Sequence, residues 1–219
     1  GVLEGDPERF KALLKPFGTM VDFQVAHAER CHQPRVRVRR RRKAPPPGPP
    51  TLLRDRPDDL ILAAGESNAW PRRDATGIPD ELVHWVALRP ATGERFEAIV
   101  APRHALCPSA ELHAEVPAAD LVAGESWASF AARWAAFLRP TDVLCTWGTY
   151  YSGLVASEGG ALPDERLDVR HSLRGTIGHR VGSLEGFAEA IGFAQTGRGR
   201  AGVRLALLEG VIAWMLRQQ

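Results

Sequence analysis

The chain has 219 residues, 44% of them hydrophobic, enough for one medium domain with a real core and an appendage. Its 28 Lys and Arg nearly balance 26 Asp and Glu, and its three cysteines, Cys31, Cys107 and Cys145, show no paired spacing, which argues against a disulfide framework and for a reducing cytoplasm. No apolar run approaches the length that crosses a bilayer, so a soluble protein without a membrane partner is expected.

Residues 1–33 read as a separate N-terminal helix. Asp6 can cap it with Pro7 in the first turn. Phe10, Leu13, Leu14, Phe17, Val21 and Val25 then recur at helical spacing, with Pro16 and Gly18 dividing the run. One apolar stripe cannot bury itself, so it must dock on the main domain, on an upstream domain or on a protein partner. The chain opens on Gly rather than Met and lacks a signal-peptide pattern, so a processed chain or a piece of a longer one is expected.

Residues 34–57 read as a basic and Pro-rich linker, expected to be disordered. Arg35, Arg37, Arg39, Arg40, Arg41, Arg42 and Lys43 place seven cations in nine positions, and PPPGPP follows at 45–50. Residues 1–56 carry 13 Lys and Arg against 6 Asp and Glu, whereas the remaining 163 carry 15 against 20. The positive potential therefore belongs to the N-terminal arm, an arrangement suited to a polyanion. Cations at this density bind nucleic acid by releasing counterions.

Residues 58–219 carry the periodicity of one α/β domain. LILAAG (60–65) reads as a buried strand, ELVHWVALR (81–89) as a second, and PATGE turns into a third, RFEAIVA (95–101), to make a hairpin. A long loop follows. ESWASFAARWAAFL (125–138) is a helix with Trp127, Phe130, Ala131, Trp134 and Leu138 on one face. DVLCTWG (142–148) is a strand, 150–157 a short helix, LDVRHS (167–172) a strand, GSLEGFAEAIGF (182–193) a helix and 201–217 the last helix. A strand and hairpin followed by alternating helices and strands predict a mixed α/β sheet, antiparallel on one side and parallel on the other.

Several stretches carry a resemblance. ELVHWVALRPATGERFEAIVAP, LHAEVPAADL (112–121), CTWGTYY (145–151), LDVRHSL (167–173), SLEGFAEAIGF (183–193) and TGRGRAGVRLA (196–206) follow in an order similar to that of DnaQ-like (DEDDh) 3′–5′ exonucleases. The resemblance covers about 160 residues and implies an RNase H-like fold, a mixed five-stranded sheet flanked by helices. It also implies a site of four carboxylates and a histidine, in which two divalent cations about 4 Å apart activate water and the histidine is general base. Here the family's Asp-x-Glu reads Ala64-Gly65-Glu66. The Asp of the second motif falls on Tyr151, or on Tyr150 with a one-residue slip. The His position falls on Gly199 and the last Asp position on Arg204.

By that resemblance Glu66, Tyr151, Gly199 and Arg204 mark a vestigial active site with no catalytic residue and no metal. Arg204 would pair with Glu66 and turn a cation site into a salt bridge. Trp70, Arg72, Arg73 and Trp147 are candidates for contact with a nucleic-acid strand, since aromatic rings stack on bases. The weakly Gly-rich GRGRAG (197–202) is a candidate for phosphate contact. His27, Cys31 and His32 match no zinc spacing.

VLEGDPERFKALLKPFGTMVDFQVAHA (2–28) is similar to the C-terminal end of DTW-domain tRNA-uridine aminocarboxypropyltransferases, through Leu3, Glu4, Gly5, Leu13, Leu14, Phe17, Met20, Val21 and Gln24. The resemblance implies that tRNA, or another RNA, is the nucleic acid. It also implies that S-adenosylmethionine would serve an upstream domain, with no cofactor in this chain. The expectation is a catalytically degenerate RNA-binding accessory domain. The alternatives are an active metal-dependent exonuclease using Asp58, Asp59, Glu66 and Asp168, or a protein-interaction scaffold.

Overall fold

Alternation of apolar side chains makes the central strands. In β1 (Leu60–Asn68), Leu60, Leu62 and Ala64 turn to one face, and Ile61 and Ala63 to the other. β2 (Glu81–Leu88) is buried along its whole length, as a strand covered on both faces must be. The computed structural model describes residues 50–71, 77–177, 181–194 and 197–217. The expected first helix, the basic run with Arg35, Arg37, Arg39, Arg40, Arg41, Arg42 and Lys43, and the loop residues Arg72 and Arg73 lie outside them.

β1 pairs antiparallel with β2, with Leu62 opposite Leu88 and Glu66 opposite His84. β2 pairs antiparallel with β3 (Arg95–Ile99) through the expected hairpin, in which Gly93 turns the chain at φ 74°. On its other side β1 pairs in parallel with β4 (Val143–Thr146), which pairs in parallel with β5 (Glu165–Asp168). The sheet order is β3-β2-β1-β4-β5.

Among the described residues, α1 (Thr51–Asp55) precedes the sheet, and α2 (Ala110–Ala114), α3 (Ala118–Val122) and α4 (Trp127–Phe137) lie between β3 and β4. α5 (Tyr150–Ser157) joins β4 to β5, and α6 (Val169–Ile177), α7 (Leu184–Ala190) and α8 (Gly199–Arg217) follow. One core holds Leu53, Leu62, Leu173, Leu184, Leu208 and Met215 together, so α1, α6, α7 and α8 pack on one face. A second holds Ile61, Trp85, Phe96, Phe130 and Trp134 on the opposite face. There Trp85 meets Trp134 edge-on at 5.5 Å, and Trp134 donates its indole N–H to Ala161 O at 2.9 Å. Fully burying each large apolar side chain contributes about 1.5–3 kcal/mol, so these faces fix the layers. Among the described residues no helix is long and apolar enough to cross a membrane.

The structure departs from the sequence reading in three places. The strand expected at 167–172 ends at Asp168, and Val169 starts α6. Asp168 Oδ1 accepts from His171 N at 3.1 Å, a helix cap, and Val169 and Leu173 are buried one turn apart. The expected long loop after β3 contains α2 and α3, which build a third cluster around Val83, Cys107, Val116 and Leu121. The linker expected through residue 57 instead contains α1, whose Leu53 is fully buried, so the packed region begins before residue 58. One buried ion pair went unforeseen. Arg89, at the end of β2, reaches Asp142 Oδ2 at 2.8 Å and Phe137 O at 2.7 Å, locking the hairpin to the start of β4.

Candidate functional site

In open α/β sheets, ligands bind at the carboxyl ends of strands where neighbours part. β1 pairs with β4 only at Leu60, Ile61 and Leu62. β4 stops at Thr146, and Gly148 turns the chain at φ 78° towards α5. Gly148 N donates to Asp168 Oδ1 at 3.0 Å, tying the ends of β4 and β5 together. β1 runs on to Asn68 and carries Glu66 past the gap, against α8 and α5. Gly65 allows this packing: a Cβ there would meet Trp85 at 3.0 Å and Leu82 at 3.1 Å.

Glu66 is 4% exposed. Its Oε1 accepts from Arg204 Nη1 at 2.9 Å and its Oε2 from the Tyr151 hydroxyl at 3.2 Å. Arg204 Nη1 also donates to the Tyr151 oxygen at 2.9 Å, and Arg204 Nε to Glu185 Oε1 at 2.8 Å. Arg200 stands outside, 4.0 Å from Glu66 and 3.7 Å from Glu185. Two carboxylates, two guanidiniums and a phenol thus close on one another.

Burial pushes the Glu66 carboxyl above its ordinary range, opposed by the charges of Arg204 and Arg200 and the Tyr151 hydrogen bond. Burial and then Glu66 raise the Tyr151 phenol. Burial works against the charge on Arg204, but the Glu185 hydrogen bond and the Glu66 charge outweigh it and raise the guanidinium. Glu185 is held below the carboxylate range: its burial is overcome by the hydrogen bond from Arg204. A guanidinium does not deprotonate in proteins, so a positive charge stands permanently 2.9 Å from Glu66. Hard divalent cations need several oxygen ligands each. Among the described residues no three His, Cys, Asp or Glu side chains come together as a metal-binding group.

The expected pairing of Arg204 with Glu66 is therefore present, and Tyr151 rather than Tyr150 faces it. The hydroxyl of Tyr150 instead donates to Asp80, and burial and Asp80 push the phenol up to about 12. Gly199 opens α8 at φ 62°, where a Cβ would meet Val116 at 3.0 Å and Ala114 O at 3.1 Å. Backbone and neighbours both oppose a side chain at that position. Trp147 is half-buried and packs against Phe187 at 6.1 Å, so its ring joins the core rather than an open stacking face. Trp70 donates to Ala105 O at 3.3 Å. With Glu66, Tyr150 and His113 it lines a groove of about 370 Å³.

The alternative metal set does not assemble. Asp58 and Asp59 precede β1 at its other end, roughly 20 Å from Glu66 at about 3.3 Å per strand residue. Asp59 pairs with Arg56 at 2.9 Å, and Asp168 is committed to Gly148 N and His171 N. Glu185 was not foreseen, and Arg200 was foreseen only as part of the GRGRAG string, not as a neighbour of Glu66. Glu185 sits in the first turn of α7, whose cap is Ser183, but nothing local indicates that it faces α8.

No protein-family profile matches the chain, and no curated protein matches it in sequence. Solved structures do match. E. coli Exonuclease I in complex with a dA16 oligonucleotide aligns at TM-score 0.57 and 15% identity, over 73% of this chain and 41% of that one. Cell-death related nuclease 4 (CRN-4) aligns at 0.56 and 11%, over 74% of this chain and 64% of that one. A full-length 3′-exonuclease aligns at 0.55 and 15%, over 74% and 82%. The fold is exonuclease-like. Its mixed five-stranded sheet with flanking helices is the RNase H-like architecture of these neighbours. The chain spans less than two thirds of the length of the first two of them.

Proposed function

We propose that this chain is a catalytically degenerate exonuclease-like module that binds RNA. The observation that carries the reading is the Arg204 guanidinium 2.9 Å from Glu66, a fixed cation seated beside the carboxylate that the resemblance assigns to a metal. A neighbour of the same fold is described in complex with an oligonucleotide, and another in recognition of a histone mRNA stem-loop, which supports a nucleic-acid partner. The seven cations of residues 35–43 supply affinity, and the groove beside Trp70 and Tyr150 supplies a surface for a strand. The similarity of residues 2–28 to the end of DTW-domain transferases supports tRNA as the first RNA to test; on this reading the chain is the C-terminal part of such an enzyme, with S-adenosylmethionine serving the upstream domain.

Binding of labelled tRNA and single-stranded RNA is measured against salt. With four to seven cations engaged, log K falls with log salt at a slope of about −3 to −5, and changing residues 39–42 to Ala flattens it by about 3. A slope near zero overturns the binding half of the proposal. Shortening of the labelled strand with magnesium or manganese, abolished by Glu66→Ala, overturns the degenerate half.

A further inference from the structure

His84 stands on β2 opposite Glu66, so both side chains continue the sheet face that α8 covers. It is fully buried. Its Nε2 lies 3.3 Å from Glu97 Oε1, and its Nδ1 has no hydrogen-bond partner among the described residues. The ring lies directly under the start of α8: a Cβ on Gly199 would come within 3.3 Å of His84 Cε1. Glu97, on β3, also stands 3.8 Å from Nη1 of Arg198, the residue before α8. One carboxylate thus joins the imidazole to the segment that leads into the helix.

A neutral imidazole suits this place and a charged one does not. A carboxylate only accepts, so the neutral ring carries its proton on Nε2 and donates to Glu97. The charged ring would add an Nδ1–H with no acceptor, beneath a helix N-terminus whose dipole is positive. Burial holds the imidazole below its ordinary range; Glu97 opposes that effect and Arg198 adds to it. β1 contributes Glu66, which Arg204 and Arg200 already occupy. The α2 segment sets the uncharged Ala114 and Val116 against Gly199, with His113 and Glu115 beside them in sequence. Lifting the first turn of α8 would hydrate the ring. That turn carries Arg200, and Arg204 follows one turn on.

We propose that His84 is an acid-sensitive latch on the start of α8: the neutral ring holds the first turns against the sheet, and its protonation releases them, with Arg200 and Arg204, from Glu66. The latch is a conformational property of the chain and does not depend on RNA binding.

Backbone amide exchange of Val203, Arg204 and Leu205, corrected for the intrinsic pH dependence of exchange, reports this opening in the full chain between about pH 5 and pH 8. In the open form the ring regains a value of about 6.5, so the closed form is fully favoured above that pH and loses ground below it. The opened fraction should rise up to about tenfold for each pH unit of acidification, until the ring titrates in the closed form as well. His84→Gln should make the protection independent of pH. Two exposed substitutions should move the effect in opposite directions. Glu97→Gln removes the group that favours the charged ring in the closed form and should deepen the acid loss, and Arg198→Gln should make it shallower. Glu66→Gln and His113→Gln should leave the acid step in place, and Glu185, held below the carboxylate range, stays ionised across this window. Level protection in the parent overturns the proposal. So does an acid step that persists in a folded His84→Gln variant, or one that Glu66→Gln or His113→Gln abolishes. If His84→Gln does not fold, the two exposed variants decide, and shifts of the same sign, or none, overturn the latch.

Discussion

Replacing Arg204 with Ala removes the cation from Glu66 while leaving the carboxylate buried. Losing one partner of a buried pair costs about 3–5 kcal/mol. Here the Arg204 side chain is 21% exposed and that of Glu66 5%, and the Tyr151 hydroxyl and Arg200 remain nearby. The expected cost of this pair is therefore smaller, about 2–3 kcal/mol. The pair with Glu185, whose side chain is 36% exposed, adds less than about 1 kcal/mol. For a chain of this length, about 2–3 kcal/mol lowers the melting temperature by about 4–12 °C. Urea denaturation should show a lower midpoint with an unchanged slope.

The pH dependence gives the sharper test. Burial already holds the folded Glu66 above its unfolded pKa, and removing Arg204 raises it further. Such a carboxyl binds its proton more tightly when folded, so its contribution to stability falls as pH rises from the unfolded to the folded value. The deficit of Arg204→Ala should be smallest in acid, where Glu66 is neutral in both proteins, and should grow towards neutrality. Adding Glu66→Gln to the variant should recover about 1–2 kcal/mol at pH 7 by removing the stranded charge. A loss below about 0.5 kcal/mol at pH 7, the size of an ordinary surface substitution, refutes the reasoning, as does a double variant no more stable than the single one.

Arg89→Ala should cost about 3–5 kcal/mol in the same urea experiment, because Asp142 is 2% exposed and would be left as a buried charge. Glu81 is buried, yet hydrogen bonds from His104 Nδ1 at 2.9 Å and from the backbone of His104 and Arg103 hold its carboxyl below the ordinary range. Its stabilisation is present above the unfolded pKa and is lost as pH falls through the folded one, so Glu81→Gln should flatten the acid limb of thermal melts taken below about pH 4.5.

Much of the fold was legible because strand and helix periodicities are local. Short, mostly apolar runs in LILAAG and ELVHWVAL placed both central strands, and Phe130 and Trp134, four residues apart, placed α4. The errors fell where a local signal competed with a tertiary one. LDVRHS has strand-like residues, but Asp168 caps a helix as soon as β5 ends, and burial of Val169 and Leu173 then decides the period. α1 follows a proline run that reads as linker, and only the docking of Leu53 in the core makes it part of the domain.

The sequence by itself determined the order of elements, the segregation of positive charge into residues 1–56, and the presence of Ala64, Tyr151 and Arg204 at the positions where the resemblance expects acids. Only the tertiary structure decided that Glu185 shares the Arg204 guanidinium with Glu66, and that Arg200 stands 4.0 Å from one of these carboxylates and 3.7 Å from the other. The physical reason is range. Backbone geometry imposes periods that a short window records, whereas an ion pair or a cavity depends on which distant side chains the packed layers bring within a few ångströms.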